Sequence, residues 1–156
     1  MADTAITITR ANLSQLSLQE QARGFSNKFH VDYSTVALGT GNADTVTMTL
    51  GTLPSNFVMN NALVNITTAF AGTTAFAINV GTTSSTSALV TAQSVKTAGV
   101  LAGVLTNATI VKGTAAVSLV ATFTNSGGGG SPSALTAGAL DIYLNIVDLS
   151  DPYKIG

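Results

Sequence analysis

The residues with the widest chemical range are His30, Asp32 and Ser34, at alternate positions in the run Phe29-His-Val-Asp-Tyr-Ser34. An imidazole beside a carboxylate and a hydroxyl has the composition of a hydrolytic triad, in which the histidine must face both partners at once. The spacing argues against it. Side chains at i, i+2 and i+4 of one strand project side by side and do not converge. His30 is the single histidine and the chain has no cysteine, so no second imidazole or thiolate is available to work with it. The sequence predicts a surface histidine without a catalytic role, in a protein that is not an enzyme.

The other chemical signals are as thin. The carboxylates are Asp3, Glu20, Asp32, Asp44, Asp141, Asp148 and Asp151, and no pair has the spacing of a calcium loop. Asp148 and Asp151 flank the end of the last strand, where a cation could sit among backbone carbonyls, but solvated charges are the simpler reading. Gly127–Gly130 is not followed by the Lys-Ser/Thr that opens a phosphate-binding helix, Lys112-Gly113-Thr114 lacks the upstream glycine, and Gly39-Thr40-Gly41 lacks a third glycine. Zero cysteines exclude disulfide scaffolds, zinc–thiolate sites and iron–sulfur clusters. No cofactor and no metal are expected. Asn12, Asn65 and Asn107 begin sequons, which are expected by chance in a Thr-rich chain.

The elements that carry these residues read as strands. Phe29, Val31 and Tyr33 alternate with His30, Asp32 and Ser34. Similar rows are Val46-Met48-Leu50, Val64-Ile66-Thr68-Phe70, Phe76-Ile78-Val80, Val117-Leu119-Ala121-Phe123 and Leu140-Ile142-Leu144-Ile146. Period two assigns each row to one buried face, so Ile142 and Leu144 should point inward and Tyr143 outward. Leu53-Pro-Ser-Asn56 reads as a turn before a strand that starts near Phe57. Gly-Thr pairs at 39, 51, 72, 81 and 113 read as turn signals. Ser126-Gly-Gly-Gly-Gly-Ser-Pro132 reads as a loop between strong strands, and residues 88–92 fit either a strand or a helical turn. Seven or eight strands with turns between them predict an all-β fold, an antiparallel β-sandwich or jelly roll, over residues 29–156.

Residues 1–28 form a different segment, an N-terminal arm. Thr4 to Thr9 alternate and fit a short added strand, with Ile6 and Ile8 on one side. Ser17-Leu-Gln-Glu20 fits a capping box, so a helix of one or two turns ending at Gly24 is expected. Arg10, Arg23 and Lys28 are half of the six basic residues, and Leu13, Leu16 and Leu18 cannot bury themselves in so short a stretch. Ile6, Ile8, Arg10, Leu13, Leu16, Leu18, Arg23 and Lys28 are therefore the expected partner-binding residues, ordered where the arm lies on another subunit.

Composition narrows the partner. The 156 residues suit one domain. Asp, Glu, Lys and Arg make up 8% of the chain, against about 25% in ordinary globular proteins. A net charge of −1 supplies no field for nucleic acid or an anionic membrane. No apolar run reaches the ~18 residues of a spanning helix; the nearest, Ala98 to Val111, is broken by Thr106, Asn107 and Thr109. Met1-Ala-Asp-Thr4 does not open a signal peptide, which predicts a protein made and kept in the cytosol or exported only within something larger. With no tryptophan and three scattered tyrosines, stacking platforms for sugars are scarce. A neutral, Thr-rich β surface implies coverage by partners, chiefly further copies of the chain.

Leu50-Gly-Thr-Leu-Pro54, Val64-Asn-Ile-Thr-Thr-Ala-Phe70, Ile78-Asn-Val-Gly-Thr-Thr83, Ala115 to Thr124, the Gly-rich loop and Leu135-Thr-Ala-Gly-Ala-Leu-Asp-Ile-Tyr143 together resemble small virion proteins of tailed bacteriophages. In particular the pattern over residues 30–149 is similar to capsid decoration, or cement, proteins of jelly-roll type. The resemblance implies a sandwich assembled in the host cytoplasm onto the capsid exterior, often as a homotrimer, that reinforces joints between major capsid protein subunits. It implies no catalytic residue. An adhesion or carbohydrate-binding module on a phage tail or head fibre is the alternative.

Overall fold

The computed structural model describes residues 4–7, 26–38, 44–102, 111–127 and 131–149. Ten strands occur among them: β1 (Thr4–Thr7), β2 (Asn27–Asp32), β3 (Thr45–Leu53), β4 (Phe57–Ala71), β5 (Ala77–Thr82), β6 (Ser85–Ser94), β7 (Gly99–Ala102), β8 (Val111–Gly113), β9 (Val117–Thr124) and β10 (Ala137–Asp148). They form two sheets. One has the order β1-β3-β9-β5-β6, the other β2-β10-β4-β7, with β8 beside the start of β4. Every pairing is antiparallel except that of β1 with β3. The all-β sandwich expected from the alternation is the fold.

The alternating rows meet between the sheets. Val46, Met48 and Leu50 of β3, Ile78 and Val80 of β5, and Leu119, Ala121 and Phe123 of β9 come from one side. Phe29 and Val31 of β2, Val64, Ile66 and Phe70 of β4, and Leu140, Ile142 and Leu144 of β10 come from the other, all in one continuous core. Phe70, Phe76 and Phe123 form a triangle with ring centroids 5.7–5.9 Å apart, within the range at which aromatic pairs add to their area burial. Among the described residues the β5–β6 hairpin is the one place where sequential strands pair directly; elsewhere successive strands lie in opposite sheets, or, as β7 and β8, side by side on the same edge of β4.

Several local expectations change. Tyr33 does not continue the β2 row. The chain turns after Asp32 into a one-turn helix, α1 (Tyr33–Val36), closed by the Ala37 amide donating to the Tyr33 carbonyl at 2.7 Å. The turn carries Val36 into the core and leaves Tyr33 largely in solvent. Thr68 drops out of its row because two irregularities shift β4 against β10 between Ile66 and Ala71, and it is exposed. Gly51 and Gly81 lie inside β3 and β5, not at turns. Gly81 sits under the β5–β6 hairpin, where a Cβ would be 2.1 Å from the Ser85 carbonyl oxygen. Residues 88–92 belong to β6. The turn at Leu53–Asn56 is present, with Asn56 at φ +60°.

The arm boundary also shifts. β2 begins at Asn27, so Lys28 is part of a sheet. Ser26 secures the entry: its amide donates to the Leu144 carbonyl at 2.9 Å, and its Oγ accepts the Ile146 amide at 2.8 Å. The alternation of Thr4 to Thr7 does yield an added strand, β1, in register with Val46–Thr49. The expected capping box at Ser17–Glu20 lies outside the described residues.

Candidate functional site

The outward face where β2 meets β10 gathers the largest group of ionisable side chains among the described residues. Antiparallel pairing sets Lys28 opposite Tyr143, His30 opposite Asp141 and Asp32 opposite Ala139. Because Phe29, Val31, Ile142 and Leu144 take the core face, their neighbours are forced onto the outer one.

His30 bridges two carboxylates. Its Nδ1 is 2.7 Å from Asp141 Oδ1 across the strands, and its Nε2 is 3.3 Å from Asp32 Oδ1 along its own strand. The other oxygen of Asp141 lies 3.4 Å from Lys28 Nζ. That ammonium also stands 5.2 Å from the centroid of the Tyr143 ring, within cation–π range. Lys28 and His30 thus flank Asp141, whose side chain is 11% exposed, while His30 and Asp32 reach further into water. The pKa of His30 is raised above its ordinary value. The hydrogen bond to Asp141 is the main cause, the charges of Asp32 and Asp141 add to it, and partial burial opposes it.

This arrangement suits an interstrand clamp better than a catalyst. As an imidazolium, His30 donates from both nitrogens to carboxylates, so neither nitrogen is left to accept a proton from a nucleophile. Ser34 is carried away by α1. Lys28 fills the position beside Asp141 that a cation would need, and among the described residues no group of three His, Asp or Glu side chains is arranged to hold a metal ion.

Of the expected partner-binding residues, Lys28 is drawn into this cluster and Ile6 stands in β1 in register with Met48. Ile8, Arg10, Leu13, Leu16, Leu18 and Arg23 lie outside the described residues. The same-strand relation of His30 and Asp32 is visible in the spacing; the approach of Asp141 and Tyr143 to them is not. The alternation of β10 already places them on its outer face, but nothing in the sequence signals that the second strand pairs with the last.

Away from this face the surface formed by the described residues carries few charges. Among the described residues that are exposed, the only charged ones are Asp32, Asp44 and Asp148; most of the others are Ser or Thr. Leu38 and Val100 are about two-thirds exposed, Leu149 somewhat more than half and Val147 39%. No helix among the described residues is long and apolar enough to cross a membrane. No protein-family model matches the chain, and no curated protein and no solved structure is significantly similar to it.

Proposed function

We propose that the chain is a structural virion protein that binds the outer surface of a tailed-phage capsid, as a homotrimer, and stabilises contacts between major capsid protein subunits. One observation carries this reading: the exposed surface of the described residues has few charges, in a chain of which Asp, Glu, Lys and Arg make up 8%. A free β-sandwich keeps itself soluble and its edges unpaired with interspersed Lys and Glu. A sandwich with few such charges on its described faces is suited to a setting in which neighbours cover them. The capsid is the setting implied by the resemblance of residues 30–149 to decoration proteins.

The ionisable cluster is consistent with a non-enzymatic role, since its carboxylates and cations satisfy one another. The adhesion alternative draws no support from Tyr143, which is 8% exposed and faces Lys28, leaving no open ring for a sugar. The test is to add purified protein to capsids from which it has been stripped, then measure occupancy and the temperature at which the shell opens. Saturable binding that raises the opening temperature is expected. Absence of binding, or binding confined to the tail, contradicts the proposal.

A further inference from the structure

We propose that the β2–β10 seam is a pH-sensitive latch: a neutral His30 lets β2 open away from β10 while the rest of the sandwich stays closed. The proposal does not depend on what covers the surface.

Its basis is where the ionisable groups sit. β1, β3, β4, β5, β6, β7 and β9 contain no ionisable side chain. The groups that face one another across the seam are Lys28, His30 and Asp32 on β2, and Asp141 and Tyr143 on β10. Carboxylates ordinarily titrate near about 4, and tyrosine and lysine near about 10, so within the seam His30 alone changes charge around neutral pH.

β2 is also built to open by itself. It is six residues long and, among the described residues, pairs with β10 alone. Elements with few neighbours open at lower free energy than strands paired on both sides. Ser26 fastens the start of β2 through neutral hydrogen bonds to the Leu144 carbonyl and from the Ile146 amide. The hold that titrates is therefore the one nearer Asp32.

That hold needs both imidazole protons. Nδ1 lies 2.7 Å from Asp141 Oδ1, and Nε2 lies 3.3 Å from Asp32 Oδ1. An imidazolium donates to both carboxylates, whereas a neutral ring has one N–H and turns a lone pair on the other oxygen. With Lys28 against Asp141, the two carboxylates are matched by two cations only while His30 is protonated. The pKa of His30 stands above its ordinary value, chiefly through the Asp141 hydrogen bond. The hold is thus complete below about 6.5 and is lost as pH rises through the folded pKa. Acid closes the latch and mild alkali loosens it.

The test is amide hydrogen exchange followed by NMR on the full chain, with intrinsic rates divided out, at about pH 5.5 and about pH 8.5. Each series is run with and without urea below the unfolding transition. β2 amides should exchange through an opening with a weaker urea dependence than that of β9 amides, because it exposes less surface. That opening should be about two- to fivefold more populated at the higher pH, the scale of a partly exposed ion pair. In His30→Gln the pH difference should disappear. If that variant fails to fold, Asp32→Asn takes its place: its amide donates to the neutral ring, so the pH difference should shrink. The proposal is overturned if β2 amides exchange only with the urea dependence of β9. It is equally overturned if their protection changes with pH to the same extent in the original chain and in the variant.

Discussion

His30 Nδ1 lies 2.7 Å from Asp141 Oδ1, joining residues 111 positions apart. This contact ties the second strand to the last, and β2 has no other strand neighbour among the described residues. The imidazolium is held between Asp141 and Asp32, so protonation strengthens the seam. With its folded pKa above the unfolded value of about 6.5, His30 contributes stability that is fully present below that value. The contribution is lost as pH rises through the folded pKa. Urea unfolding between pH 5 and 9 should show a decline of up to about 1 kcal/mol, the scale of a partly exposed pair. The decline should disappear in His30→Gln. As the only histidine, His30 can also be titrated by NMR, and a midpoint below 6.5 contradicts the geometry.

A second expectation concerns the facing of β10. Ile142 and Leu144 are fully buried between the sheets. Truncation of either to Ala should cost about 2–5 kcal/mol in denaturant unfolding. A loss under roughly 0.5 kcal/mol, the range of ordinary surface changes, would mean that the strand faces are reversed.

Gly138 provides a third. Its φ is +142°, and a Cβ there would lie 2.4 Å from the Phe70 ring, a member of the aromatic triangle. Gly138→Ala combines a disfavoured backbone conformation with overpacking, and should destabilise by about 1–3 kcal/mol or more. Gly51→Ala is the control, since nothing lies within 4 Å of its Cβ position. Calorimetry should show a clear drop in Tm for the first and a much smaller one for the second.

The sandwich was legible because its core rows are regular. Val46-Met48-Leu50 and Leu140-Ile142-Leu144 each alternate cleanly, and period two leaves one reading of which side is buried. Departures came where a non-local contact overrode the local pattern. Tyr33 alternates with Val31, yet α1 carries Val36 inward instead. Thr68 alternates with Ile66, yet the irregular β4–β10 register puts it outside. The His30–Asp141 contact was illegible for a related reason. A strand's own sequence sets its faces but not its partner, and among the described residues one hairpin, β5–β6, is the only direct pairing of sequential strands.

The β3 edge gives the fourth expectation. Deleting residues 1–7 uncovers an edge strand without charge or proline. Nine of the ten strands remain without β1, so the β-type circular dichroism spectrum should persist. The uncovered edge should make the shortened chain associate at lower concentrations than the full chain. Sedimentation velocity across a dilution series measures this. A shortened chain that stays monomeric where the full chain does would show that β1 does not guard the edge.

If a tailed phage encodes the chain, as proposed, the most direct test of the central claim is the copy number and location of the chain in purified particles of that phage. Quantitative mass spectrometry gives the first, and labelling of intact particles with a bulky surface reagent gives the second. A capsid decoration role predicts copies on the scale of the major capsid protein, accessible from outside. Absence from the particle, or a few copies confined to the tail, would contradict it.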